Sequence, residues 1–204
     1  MAIDVKSLIA DALIELCNEK PLAKISISDI QKKSGVSRQT FYNHFRDKND
    51  LIQYIYLNRI ITNWKSADSD LDYYDSLLDV FDRYVKYHTF LKQALSQSDQ
   101  NCLREFMLDY CKKFDLEWHQ RYYGSEPMPD ALRFATEYHA VASMSITIAW
   151  ILSDMPSPPH VIAENIARMR DAGLSPLLYA KKGSPYSIPD DKDCLLYTSP
   201  SPRD

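Results

Sequence analysis

Apolar side chains recur every three or four residues along most of the chain, the period of helices with one buried face. Leu8, Ile9, Ala12, Leu13, Leu16 and Cys17 form one such stripe and predict a helix over Asp4–Glu19, with Pro21 marking its end. Ser26 and Asp29 have the spacing of a capping box and open a second helix over Ile27–Ser34. Gly35 follows, where a sharp turn needs positive φ. Ser37 then caps a third helix over Arg38–Phe45. Two short helices joined by a tight turn containing Gly make a helix-turn-helix.

The fourth predicted helix, Lys48–Ser66, is apolar around much of its circumference, as a helix linking two packing units would be. A polar connector, Ala67–Asp72, leads to helices over Tyr73–Tyr87, Phe90–Ser96, Gln100–Tyr123, Asp130–Asp154 and Pro158–Ala172. Gly124–Pro129 reads as a loop. Ser157 is placed as an N-cap before proline in the first turn, and Gly173 as a C-terminal stop. The expected fold is all-α, with a three-helix helix-turn-helix domain over 1–50 and a C-terminal helical dimerisation and ligand domain over 67–182. The proline-rich stretch 183–204 is expected to be a disordered tail, and its last eleven residues read as a translated cloning scar outside the fold.

Composition agrees with a helical chain: four glycines in 204 residues. The net charge of −4 hides an asymmetry. Residues 1–66 hold ten Lys/Arg against seven Asp/Glu, and the remainder holds fourteen against twenty-one. If either part meets a polyanion it is the first. The start of the chain lacks the basic-then-apolar pattern of a signal peptide, and the uncharged run Ala140–Ser153 is too short to span a bilayer. A cytoplasmic protein with no membrane partner is expected. Cys17, Cys102, Cys111 and Cys194 form no CxxC pair and read as reduced thiols, so neither a metal site nor a cofactor is expected.

Function concentrates in the third helix. Val36, Phe41 and Phe45 are placed to pack inward, leaving Ser37, Arg38, Gln39, Thr40, Tyr42, Asn43 and His44 facing out. Such a face suits a major groove, where Arg reads guanine and Asn or Gln reads adenine. Lys48, Lys32 and Lys33 are placed for phosphates. The run Gly35–Phe45, followed by Lys48 and Leu51, with Ile30 and the capping box before it, resembles the TetR/AcrR signature. Ser34 departs from it, since the family more often has Ala there. The resemblance implies base contacts from Ser37, Arg38, Gln39 and Thr40, and phosphate contacts from Tyr42, His44 and Lys48. It implies a regulator, read here as a repressor, that binds palindromic double-stranded DNA as a homodimer.

The segment from Ala140 to Pro158 resembles the C-terminal region of the subgroup that includes dihydroxyacetone kinase regulators. There the last two long helices pair with those of a second subunit. Ile146, Ile148, Trp150, Ile162 and Ile166 are the expected dimer interface. Phe81, Tyr110, Phe114 and Tyr138 either fill a core or line an effector pocket, which would measure roughly 300 Å³ or more. Two alternatives remain: a TetR-like coactivator working through a protein partner, and a helical enzyme. Against the enzyme, the sequence has no Glu-x-x-His, phosphate loop or nucleophile motif. The Asp115/His119 spacing of four is a lone coincidence.

Overall fold

The computed structural model describes residues 4–62, 73–97 and 102–179, and every regular element among them is helical. Val5–Glu19 (α1), Ile27–Ser34 (α2) and Arg38–His44 (α3) form the N-terminal bundle. Asp4 caps α1 by accepting from the Ser7 N–H at 3.3 Å. Ser26 and Asp29 make both halves of the capping box, at 3.2 and 2.8 Å. Gly35 ends α2 with φ +73°. Nothing lies within 4 Å of a Cβ built there, so the dihedral alone selects glycine; a side chain costs about 1–2 kcal/mol. A short 3-10 turn, Leu22–Lys24, is not signalled by the periodicity and puts Leu22 in the core.

Lys48–Ile55 (α4) runs into a π turn over Tyr56–Ile60, where the sequence pattern predicts unbroken α-helix. The Ile61 N–H reaches back to the Tyr56 carbonyl at 3.1 Å. This wider turn stacks residues five apart. It brings Ile61 to the buried side with Tyr56 and Ile60. Residues 63–66 of the predicted helix, the connector 67–72, Cys194 and the tail 183–204 lie outside the described residues.

The second part comprises Tyr73–Lys86 (α5), His88–Leu95 (α6), Leu103–Tyr123 (α7), Asp130–Leu152 (α8), Pro159–Gly173 (α9) and a short Ser175–Tyr179 (α10) that the pattern does not signal. α9 starts one residue later than predicted. Pro158 takes the cap position, while the Ser157 carbonyl accepts from Trp150 Nε1–H at 3.0 Å. α7 packs on α8, and α5 on α9. α6 touches both α1 and α8. Its Gln93 donates to the Cys17 carbonyl at 2.8 Å and accepts from the Leu22 N–H at 2.6 Å, groups the end of α1 and the following turn leave open. One apolar core runs from Ile9 and Leu13 on α1 to Ile148 and Ile151 on α8, so the N-terminal bundle is welded to the rest. Cys17 is buried in the core, Cys102 is buried at the start of α7, and Cys111 is half-buried against the core. No described helix is long and apolar enough to cross a membrane.

Candidate functional site

α3 is anchored by Phe41 and Phe45, both buried, and capped by Ser37, whose Oγ accepts from the Thr40 N–H at 3.1 Å. The caps and aromatic anchors fix its rotation. As a result Ser37, Arg38, Gln39, Tyr42 and Asn43 are exposed together, with Thr40 and His44 half-buried beside them. The Arg38 guanidinium lies over the Tyr42 ring at 5.5 Å, which holds this long side chain along the helix. Ser37 and Thr40 share a hydroxyl contact of 2.8 Å, so part of their hydrogen-bonding capacity serves the cap.

The lysines around α3 divide. Lys33 is ion-paired with Glu15 and Glu19 at 3.1 and 2.8 Å, which ties α2 to α1 and neutralises a charge the sequence assigns to phosphates. Lys48 donates to the carbonyls of Leu22 and Ile25 at 2.9 and 3.1 Å. Its ammonium thus clamps the 3-10 turn to the start of α4. Lys32 is exposed.

A second feature lies on the far part of the molecule. α8 and α9 frame an apolar groove of about 1020 Å³. Trp150, Ile162 and Ile166 line it while being largely buried, and Phe134, Tyr138, Ile146 and Met169 line it at 74, 69, 55 and 67 % exposure. The sequence expectation for Ile148 is corrected. Ile148 is 2 % exposed, on the inward face of α8 within the protomer's own core. Ile146, two residues earlier and on the opposite side, is the one that faces out.

The expected effector pocket is also corrected. Phe81, Tyr110 and Phe114 do line one cavity, with Tyr56, Tyr73 and Tyr84, but it measures about 60 Å³ and not 300. Tyr138 is absent from it, because it stacks on Phe134 at 6.3 Å in the groove. The aromatic residues mostly fill space. Phe81 meets Tyr84 edge-on at 5.3 Å, and the Tyr56 and Tyr84 hydroxyls touch at 3.2 Å.

Beside this cavity is a buried polar cluster only half visible in the sequence. Asp115, His119, Thr136, His139 and Arg170 are all buried. Arg170 donates to His119 Nε2 at 3.1 Å. That makes Nε2 an acceptor, so Nδ1 carries the proton and donates to Thr136 Oγ1 at 2.9 Å, and Thr136 passes its own proton to the Leu132 carbonyl at 2.7 Å. Burial, with Arg170 beside it, lowers His119 to about 3, and the same two causes lower His139 to about 4. Burial raises Asp115 to about 6 against the opposing pull of Arg170. The spacing of Asp115 and His119 was the visible signal. Arg170, on another helix, gave none.

Comparison with known proteins joins these features. Residues 9–55 match the family described as "Bacterial regulatory proteins, tetR family". Residues 72–171 match "Transcriptional regulator C-terminal region". The chain is 27 % identical over 153 residues, 72 % of its length and 79 % of the relative's, to the HTH-type dhaKLM operon transcriptional activator DhaS of Lactococcus lactis subsp. lactis. It is 54 % identical over 44 residues, 22 % of its length and 23 % of the relative's, to the uncharacterized HTH-type transcriptional regulator YvdT of Bacillus subtilis. Among solved structures, "Dihydroxyacetone kinase operon activator DhaS" superposes with TM-score 0.65 at 21 % identity, covering 85 % of this chain and 97 % of that one. A TetR regulator from Rhodococcus sp. RHA1 superposes with TM-score 0.57 at 17 % identity, covering 88 % and 98 %.

Proposed function

The chain belongs to the TetR family of DNA-binding transcriptional regulators, a non-enzymatic family, and from that premise we propose that it acts as a homodimer, in the cytoplasm, on a palindromic operator. In this reading the part up to residue 50 reads DNA, and 67–182 dimerises and regulates. The observation that carries it is the shared exposure of Ser37, Arg38, Gln39, Tyr42 and Asn43 on a helix whose opposite side is locked by Phe41 and Phe45. A rigid helix with Arg and amide side chains facing out is the instrument for direct reading of base edges. In this reading Tyr42, His44 and the first turn of α4, which Lys48 clamps to the 3-10 turn, meet the phosphate backbone.

The occupant of the α8–α9 groove is a second copy of the chain. Phe134, Tyr138, Ile146 and Met169 line the same groove and are all exposed, and a cluster of large apolar side chains left in water marks an interaction surface. A twofold pairing of α8 and α9 covers the same surface on both protomers.

Repression is the expectation from sequence, while one relative is described as an activator. The same reading head serves both, since the sign depends on where the operator lies relative to the promoter. Regulation by a protein partner is the second reading, favoured by the small interior cavity: about 60 Å³ excludes a drug-sized effector.

The test is fluorescence anisotropy on DNA flanking the chain's own gene. Arg38, Tyr42 and Asn43 are exposed, so their triple alanine variant keeps its fold, and binding is expected to fall by roughly two orders of magnitude. Equal binding by the variant and the wild type overturns the assignment.

A further inference from the structure

The cavity under α5 contains a group its packing role does not explain. Asp115 on α7 is 6 % exposed and lines the cavity. Among the described residues its carboxylate has no ion pair or hydrogen bond. The groups facing it are Arg170 on α9, Tyr73 on α5 and Cys111 on its own helix. His119 and His139 complete the titratable set and are held neutral by burial beside Arg170. Arg170 lies within electrostatic reach of Asp115 and favours its charged form, but no ion pair or hydrogen bond joins them. Its NH2 is given to His119, its guanidinium lies over the Tyr73 ring at 4.3 Å, and its NH1 is sealed without a partner. The carboxylate is therefore left to the cavity.

The remaining wall is apolar: the rings of Tyr56, Tyr73, Phe81, Tyr84, Tyr110 and Phe114 alternate with aliphatic side chains such as Leu77, Val80, Met144 and Ile166. Ser143 and Thr147 also line it, but their hydroxyls donate to carbonyls of their own helix at 2.7 and 2.8 Å. The cavity thus offers one strong acceptor and several ring faces, the complement of a compact cation. About 60 Å³ is roughly the liquid volume of two waters, so the ligand has only a few heavy atoms.

We propose that the cavity bounded by Asp115 and these rings is a binding site for a short primary alkylammonium ion, whose –NH3+ donates to the Asp115 carboxylate while its alkyl group lies against the rings. A carboxylate ligand meets repulsion there, and a neutral alcohol of the same size leaves the buried charge unpaired. Tyr56 begins the π turn of α4, so the wall of the site is continuous with the helix that carries Lys48. An effect of the ligand on operator affinity rests on the DNA-binding reading above; binding itself does not.

Thermal unfolding and calorimetry of the full chain test the site without DNA. The probes are ethylammonium, tetramethylammonium, ethanol and acetate, each at about 20 mM with chloride matched, since so small a ligand binds only at millimolar level. Ethylammonium is expected to raise the melting temperature by several degrees at pH 7.5, and the other three to leave it unchanged. Protonation of Asp115 removes the acceptor, so affinity should fall roughly tenfold between pH 7.5 and pH 5. Asp115→Asn should bind at least tenfold more weakly. Phe114→Leu, which retains the carboxylate and removes one ring, should bind more weakly with the same pH dependence. The proposal is overturned if ethylammonium gives no shift in the wild type, if ethanol or acetate matches it, or if affinity is flat with pH. Operator binding by the ligand-free protein is measured separately, so failure here leaves the DNA reading standing.

Discussion

Arg38 and Lys48 are both cations near the proposed DNA surface, and their surroundings give them different work. Arg38 is exposed and steadied only by the Tyr42 ring. Arg38→Ala should leave stability within about 0.5 kcal/mol and relax preference at one base position by about 1–3 kcal/mol; competition between operator variants reads this directly. Lys48 holds two backbone carbonyls. Lys48→Ala should cost about 1–3 kcal/mol of stability by leaving them unpaired and weaken all DNA sequences alike, as urea melts beside anisotropy will show. The polar cluster makes its own prediction. Between pH 6.5 and 4 the unfolded chain protonates two histidines that the folded chain keeps neutral to about 3 and 4, whereas the folded chain protonates Asp115 near 6, ahead of its ordinary 3.8. The unfolded state takes up more protons, so these groups destabilise the fold on acidification. The urea midpoint should fall from pH 7 to 5, and fall more steeply in Asp115→Asn, which removes the one opposing proton; an equal slope contradicts the assignment. Asp115 and His119 could be picked out by their spacing, but nothing in a sequence tells that Arg170, 51 residues after His119, turns inward between them.

Helices differ in how much of their packing a sequence reveals. α1, α2 and α3 were legible because local chemistry fixes their ends: Asp4, Ser26 with Asp29, Gly35 and Ser37 act within a turn of their own positions. α8 was legible as a helix but not in its rotation. Ala140–Ser153 carries no charge, so no polar stripe marks the outer face and Ile146 and Ile148 look alike. The π turn was hidden for a related reason, since apolar residues on all sides of α4 accommodate either winding. The rotation of α8 now separates two variants. Ile146→Asp places a charge in the groove and should split the dimer while leaving a folded protomer. Ile148→Asp buries a charge with no partner and should unfold the chain, at a cost of several kcal/mol. Sedimentation paired with circular dichroism distinguishes them, and the opposite pattern would show that α8 is turned the other way. Gln93 on α6 is the polar seam between α1 and the rest. Gln93→Leu strands the Leu22 N–H and the Cys17 carbonyl and should cost about 1–3 kcal/mol in a urea melt.

At the scale of the molecule, charge and core point the same way. In the proposed reading the basic first third presents α3 to DNA, and the acidic remainder, which phosphate would repel, faces away from it. The core is continuous from α1 to α8, so a second protomer docked on α8 and α9 places the two α3 helices at a fixed separation. For a twofold dimer that separation should match about one turn of B-DNA, roughly 34 Å, or a multiple of it. The measurement that tests this most directly is footprinting on the DNA flanking the chain's own gene, with protein concentration varied across the dimerisation range. The account predicts one protected region, symmetric about its centre, with two half-sites a whole number of helical turns apart, and loss of protection in the Arg38/Tyr42/Asn43 triple alanine variant. Protection without symmetry, or symmetric protection that survives in the triple variant, contradicts it.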